Sequence, residues 1–415
     1  MTQLPACVFM TVVLTLTSPW FVNSARADDP PTPSPEPAQL HTDPPPASAE
    51  PEVADLPRTV EDDTDGLVSL LGDLRGAVRA FPESVQDRLD LADTLYRIGD
   101  LDQAIEEART AVALDRHATN THLQLGRLYL AKQEWKHALV ELNEALRLNP
   151  ELVQAHYHVG AAQYGLGNLK AAMQAYETAL DLQPYFPDAR YHLGLLMKLA
   201  HRDREAAGLL EEAAEGGVAK AQLFTGNAYR TGQGVEKDLA LAIRWWMRAA
   251  ENGVDQARES LAQLRRQALS ADQSNPKRKE ALDAFTRYRE TLRDEYPGTG
   301  SARAGEPAGI ATNRHTANSL AMLLAESYAL SEPATNEVAR LYVVGLDTGL
   351  KSFDRRLLAC LETTAADGFP PAQKALARIY GKGLGMNPDL AKAKAVLKGI
   401  PKQEMQPILD ELGTP

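Results

Sequence analysis

The sequence predicts an all-α solenoid of antiparallel helix pairs, and three observations carry that prediction. A period of 34 residues runs through a column of small residues: Gly126, Gly160 and Gly194, with Ala92 one period earlier. Two alanine columns share the period, Ala104, Ala138, Ala172 and Ala206, then Ala111, Ala145, Ala179 and Ala213. The periodic segments have apolar residues at helical spacing, with no alternating run of strand length. Two helices of about a dozen residues approach closely only where small residues meet and large apolar ones fill the gaps. Proline cannot continue a helix, so Pro150 and Pro184 close two of the units.

Taken in order, the chain opens with an apolar stretch from Leu4 to Val22, broken by Pro19 and followed by Ala25-Arg26-Ala27, the small-x-small pattern of a cleavage site. We expect residues 1–27 to be a secretory signal peptide and the mature protein to be periplasmic or secreted. No Lys or Arg precedes the apolar core, so an uncleaved anchor in the inner membrane, facing the periplasm, is the alternative. With cleavage no stable membrane insertion is expected. Residues 28–66 hold eleven acids against Arg58 alone, a local balance of −10 out of a total of −12. This Pro/acid-rich segment cannot bury enough apolar surface to offset the entropy of ordering, and it is expected to be a disordered linker.

Residues 67–415 are therefore close to neutral and lack the basic stripe that phosphate backbones require, so no nucleic-acid partner is expected. Cys7 lies in the apolar leader and Cys360 stands alone beyond it, which leaves no intramolecular disulfide after processing. Within Leu357-Leu358-Ala359-Cys360-Leu361 the thiol reads as a small buried hydrophobe.

An amphipathic helix from Leu67 to Phe81 precedes four units that start near Val85, Thr119, Val153 and Pro187. The second and third carry Leu125-Gly126, Tyr129, Ala138, Ala145, Pro150, then Val159-Gly160, Ala172, Tyr176, Ala179, Pro184. This pattern resembles the tetratricopeptide repeat, which implies a right-handed α-solenoid over 67–218. The fourth unit departs from it in its turn, His201-Arg202-Asp203. Then the spacing lengthens: Ala213-Ala214-Glu215-Gly216-Gly217-Val218 returns 36 residues later as Ala249-Ala250-Glu251-Asn252-Gly253-Val254. Between them lies Tyr229-x-x-Gly232-x-Gly234-Val235-x-x-Asp238, followed by Trp245-Trp246. That stretch resembles the Sel-like repeat, expected over 219–268, and it recurs 151 residues on as Tyr380-x-x-Gly383-x-Gly385-Met386-x-x-Asp389. A poorer copy stands around Leu341-Tyr342-x-x-Gly345, with a second helix from Phe353 to Ala366, so Sel-like helices are expected over 316–415. Residues 269–315 read as an amphipathic helix, Lys277 to Tyr296, and a Gly/Ala-rich hinge.

No catalytic, cofactor-binding or metal-binding constellation can be assembled. Gly232/Gly234 and Gly383/Gly385 lack the third glycine and preceding strand of a phosphate loop. Ser274-x-x-Lys277 has none of the companion motifs of the penicillin-recognising enzymes. His158 and His192 share a slot one period apart, yet no further zinc ligands accompany them. The chain is read as no enzyme.

What remains is a surface. In tetratricopeptide arrays the first helices line a concave face, and positions five, nine and twelve of a unit form one helical stripe. Here that stripe reads Leu89, Asp93, Tyr96; Leu123, Arg127, Leu130; Tyr157, Ala161, Tyr164; Tyr191, Leu195, Lys198. Asp93, Tyr96, Leu123, Arg127, Tyr157, His158, Tyr164, Tyr191, His192 and Lys198 are the expected partner-binding groove, the tyrosines serving as anchors. Leu89, Gln124 and His158 stand near the slots where some family members carry a carboxylate clamp, so gripping of a chaperone tail is not expected. The resulting reading is a non-catalytic protein-interaction scaffold of the bacterial envelope, holding a peptide or helix of a protein partner. The alternative is a regulatory protein of envelope or exopolysaccharide biogenesis that binds a glycan or cell-wall fragment. On the leader, N-terminal sequencing of the exported protein is expected to start at Asp28. Recovery of Met1 in the membrane fraction would instead establish the anchor.

Overall fold

The computed structural model describes residues 64–295, 317–345 and 352–413. The leader, most of the linker and the Gly/Ala-rich hinge lie outside the described residues. Helix α1 (Thr64–Ala80) precedes four helix pairs: α2 (Val85–Ile98) with α3 (Leu101–Leu114), α4 (Thr119–Ala131) with α5 (Trp135–Leu148), α6 (Val153–Gly165) with α7 (Leu169–Leu182), and α8 (Pro187–Leu199) with α9 (Asp203–Glu215). The array continues through α10 (Ala219–Thr231), α11 (Leu239–Glu251), α12 (Asp255–Ala268) and α13 (Pro276–Glu295). After the undescribed stretch come α14 (Ala317–Tyr328), α15 (Glu332–Val344), α16 (Arg355–Ala366), α17 (Pro370–Lys382), α18 (Leu390–Val396) and α19 (Lys402–Glu411). The protein is an all-α repeat solenoid, with no strand among the described residues.

The alanine columns are the reason the pairs form. Ala104, Ala138 and Ala172 are fully buried and Ala206 almost so, while Ala111, Ala145, Ala179 and Ala213 are fully buried. Between the first and second helix of each unit the chain reverses through a left-handed residue at one slot: Gly99 (φ 95°), Gln133 (φ 60°), Gly167 (φ 80°) and His201 (φ 56°). In each case the next N–H reaches back five residues, from Asp100, Glu134, Asn168 and Arg202 to the carbonyls of Leu95, Tyr129, Gln163 and Met197. These bonds satisfy carbonyls that the ending helix leaves open. The fourth unit thus keeps the geometry of the others although its turn sequence departs from them. Gln133 and His201 accept a conformation that costs an L-residue about 1–2 kcal/mol.

The exits from α3, α5 and α7 are alike whether or not proline follows. Asp115, Asn149 and Gln183 are all extended, with ψ of 96°, 95° and 90°, and each donates its N–H to the buried alanine four residues back. Arg116 can therefore stand in the first unit where Pro150 and Pro184 stand in the next two. Further on, the side chains of Arg265 in α12 and Asp367 after α16 are almost wholly buried and pair at 2.6 Å, tying segments 102 residues apart. Cys360 is fully buried in the core formed by α15–α19. Burial pushes its thiol up to about 11, so it serves as a small core side chain.

The glycine column faces the second helix of its own unit. A Cβ built on Gly160 would stand 2.7 Å from the Tyr176 ring. Gly160→Leu is therefore expected to lower the melting temperature sharply, overpacking costing ~1–3 kcal/mol or more. A thermal melt that matches the parent would show that these two helices do not meet as described.

Candidate protein-binding groove

The site grows out of that close approach. Because Gly160 has no side chain, the ring of Tyr176 in α7 reaches past α6 and stacks on His192 of α8, with centroids 5.6 Å apart and planes 12° from parallel. Tyr157 closes the cluster. Its centroid lies 5.7 Å from Tyr176, 5.0 Å from Phe186 and 5.7 Å from His192, and 5.1 Å from its neighbour His158. One unit on, Tyr191 contacts Phe224 of α10 at 6.2 Å, and the Lys198 ammonium sits 5.1 Å above the Phe224 ring. Such contacts hold rings at fixed angles and hold the cation against a π face.

Both imidazoles are half-buried, and desolvation pushes each of them down to about 4. For His158 the nearby Arg127 guanidinium and His192 add to the effect. At neutral pH the centre of the groove is thus an uncharged aromatic surface with cations, Arg127 and Lys198, at its borders. Arg127 itself pairs with Asp93 across α2 and α4 at 2.6 Å and lies 5.5 Å from the Tyr96 ring centroid.

The structure brings together Tyr157, His158, Tyr191, His192 and Lys198 of the expected residues, and separately Asp93, Tyr96 and Arg127. Three tyrosines require a correction. Tyr96, Tyr164 and Tyr191 retain only 5%, 8% and 9% exposure, each within a core between repeats. They pack; they are not free anchors. A helix stripe that faces the next repeat also borders the groove, and long side chains there wedge into the joint between units. Leu123 is half-buried and packs against the core of α2–α6, while Leu130 in the same stripe is fully buried. Phe186 and Phe224 were not read from the sequence, and Tyr176 was read there as a residue of the repeat pattern but not assigned to the groove.

Among the described residues no three His, Cys, Asp or Glu side chains gather as a metal site, and no helix is long and apolar enough to cross a membrane. The model of the TPR repeat matches residues 126–167 and 165–199, and that of the Sel1 repeat matches 219–254 and 370–395. No curated protein matches the sequence. Among solved structures, MamA of Desulfovibrio magneticus RS-1 is 21% identical over 40% of this chain and 96% of its own, with a TM-score of 0.34. A Sel1 repeat protein from Oxalobacter formigenes is 20% identical over 82% of this chain and 90% of its own, with a TM-score of 0.31. The pilF protein of Pseudomonas aeruginosa is 20% identical over 52% and 92%, with a TM-score of 0.40.

The depressed histidines give the fold a pH signature. Their folded-state values lie below the ordinary 6.5, so as pH falls the unfolded chain takes up protons first. The stability they leave intact above pH 6.5 is lost progressively between 6.5 and 4. A His158→Gln/His192→Gln variant is expected to lose less melting temperature than the parent between pH 7 and 4.5. Parallel curves for the two proteins would mean that both imidazoles titrate normally.

Proposed function

We propose that this chain, a tetratricopeptide- and Sel1-repeat protein, is a non-catalytic scaffold that holds a peptide or helix of a protein partner in the groove of α6, α8 and α10. Stacked repeats produce extended concave surfaces, and such arrays act as interaction modules. The observation that carries the reading is the half-buried cluster of Tyr157, His158, His192 and Phe224, uncharged at neutral pH and bordered by Arg127 and Lys198. Rings held rigid by their neighbours bury area at low entropic cost, and bordering cations select for acidic residues in the partner.

We also propose that the scaffold works in the bacterial envelope. The apolar segment, Pro19 and Ala25-Arg26-Ala27 support export, and the acidic, proline-rich linker would hold the repeats away from the membrane or the export site.

The groove reading is tested with a Tyr157→Ala/Phe224→Ala variant, compared with the parent for helicity, melting temperature and recovery of the same prey from envelope extract. Truncating two aromatic anchors is expected to cost ~2–4 kcal/mol of binding, enough to remove the prey from the eluate. Undiminished recovery by a folded variant would move the binding surface elsewhere, and glycan without protein in the parent's eluate would establish a carbohydrate-binding role.

A further inference from the structure

The two matched Sel1 units share one hydrogen-bonded frame, 151 residues apart. The hydroxyls of Tyr229 and Tyr380 donate to Glu211 and Glu362 at 2.7 and 2.5 Å. The N–H groups of Asp238 and Asp389 donate to the carbonyls of Tyr229 and Tyr380 at 2.9 and 2.8 Å. Each aspartate then caps the helix that follows it, α11 or α18. Gly234 and Gly385 turn with φ of 78° and 74°. With the frame fixed in this way, the side chains can be compared slot by slot.

The seventh residue after the cap differs sharply. In α11 it is Trp245, 2% exposed and set in the core with Tyr191, Ala214 and Ala221. In α18 it is Val396. The surrounding slots repeat: Tyr342, Ala365 and Ala372 stand for Tyr191, Ala214 and Ala221. Where the first unit has an indole, the second has an open cavity of about 450 Å³, lined among others by Ala365, Gln373, Tyr380, Lys392, Val396 and Lys398. That volume lies within the range of sites that hold ligands, roughly 300–1,000 Å³.

The charges around the cavity point the same way. Lys392, Lys394, Lys398 and Lys402 lie along the α18–α19 segment, and Glu362, the one acid of the lining, already accepts from the Tyr380 hydroxyl and stands 4.0 Å from the Lys392 ammonium. The Lys392 ammonium already lies 3.9 Å from the centroid of the Tyr380 ring. In the first unit, the guanidinium groups of Arg248 and Arg244 stand 5.0 and 5.8 Å from the Trp245 ring. A cation thus lies over an aromatic face beside this slot in both units, over Trp245 itself in the first and over Tyr380, the counterpart of Tyr229, in the second. The acidic linker at 28–66 has no aromatic residue and cannot supply the missing ring.

We propose that the cavity between α16, α17 and α18 receives a tryptophan side chain of a protein partner, presented in an acidic segment. The indole occupies the space that Trp245 fills in the first unit, against Ala365 and Tyr380. The flanking carboxylates meet the lysines of the α18–α19 lip. This surface is separate from the groove of α6, α8 and α10.

The test uses the full chain and two labelled peptides, Asp-Glu-Trp-Glu-Asp and the same sequence with alanine in place of tryptophan, followed by fluorescence anisotropy. The tryptophan peptide is expected to bind at least about tenfold more tightly than the alanine peptide, a difference of about 1.4 kcal/mol. Val396→Trp should fill the slot from within, abolish binding and leave the melting temperature equal or higher. Lys392→Glu/Lys398→Glu, a change of solvent-exposed side chains, should weaken binding about tenfold with the fold unchanged, and it decides the matter if Val396→Trp does not fold. Equal binding of the two peptides, no binding by the parent, or binding that survives the lysine exchange would overturn the proposal. Loss of binding in Tyr157→Ala/Phe224→Ala with retention in Val396→Trp would also overturn it, by assigning the peptide to the groove.

Discussion

The structure depends on how closely two helices of one unit can approach at a single slot. At Gly126, Gly160 and Gly194 an added Cβ would stand 2.7, 2.7 and 2.9 Å from the side chain sixteen residues on, Leu142, Tyr176 and Leu210. In the first unit Ala92 takes the glycine's place, and the residue sixteen on is Ala108, small in turn. At Gly226 the facing side chain is the indole of Trp246, 2.5 Å from where a Cβ would lie. What is kept from unit to unit is a small residue at this slot, glycine or alanine, while the side chain that faces it ranges from alanine to tryptophan. The alanine columns, the left-handed turns and the extended exits all follow from holding that distance.

The same constraint builds the groove. An aromatic ring on α7 can pass α6 only opposite a glycine, and Tyr176 stands opposite Gly160. Passing through, it becomes the floor on which His192 stacks and against which Tyr157 leans. A leucine there, as in the preceding unit, would fill the joint equally well and end short of the histidines. Burial against this floor is what keeps the imidazoles neutral. Packing inside a unit and chemistry on its surface are here two consequences of one substitution.

The fold was legible because the period repeats: each small residue is seen several times, and chance coincidences average out. The Sel1 frame was legible for the same reason, through Tyr229/Tyr380, Gly232/Gly383 and Asp238/Asp389. Side-chain direction was not. Tyr157 and Tyr164 lie on one helix stripe, yet one is half-exposed and the other is buried in the joint to the next unit. That difference comes from the angle at which neighbouring repeats cross, which a single unit's sequence does not encode. Phe224 was hidden for another reason: it belongs to the first Sel1 unit, whose helices pair with a longer loop, and a strict 34-residue frame does not reach it. Tyr176 was legible as a repeat residue, but it sits on a second helix, and a groove read from first helices alone did not include it.

Positions that follow the period serve the stack, and positions that break it are where an array can hold information. Along the ninth slot of successive units the residues run Asp93, Arg127, Ala161, Leu195. The N-terminal end of the groove is therefore ionic and its middle apolar. Asp93 and Arg127 are partly exposed, with side chains 48% and 29% accessible, so their pair contributes little to stability. An incoming carboxylate can replace Asp93 on Arg127 at small cost. The aromatic centre asks for no such exchange, since its half-buried histidines are already neutral at pH 7. A partner helix that carries an acid at one end and apolar residues along its face would meet Arg127 first and the rings after it. Reversed, it would set its carboxylate against the Lys198 ammonium that covers Phe224. The two borders thus differ in what a bound partner would have to displace, an acid at one and a ring at the other.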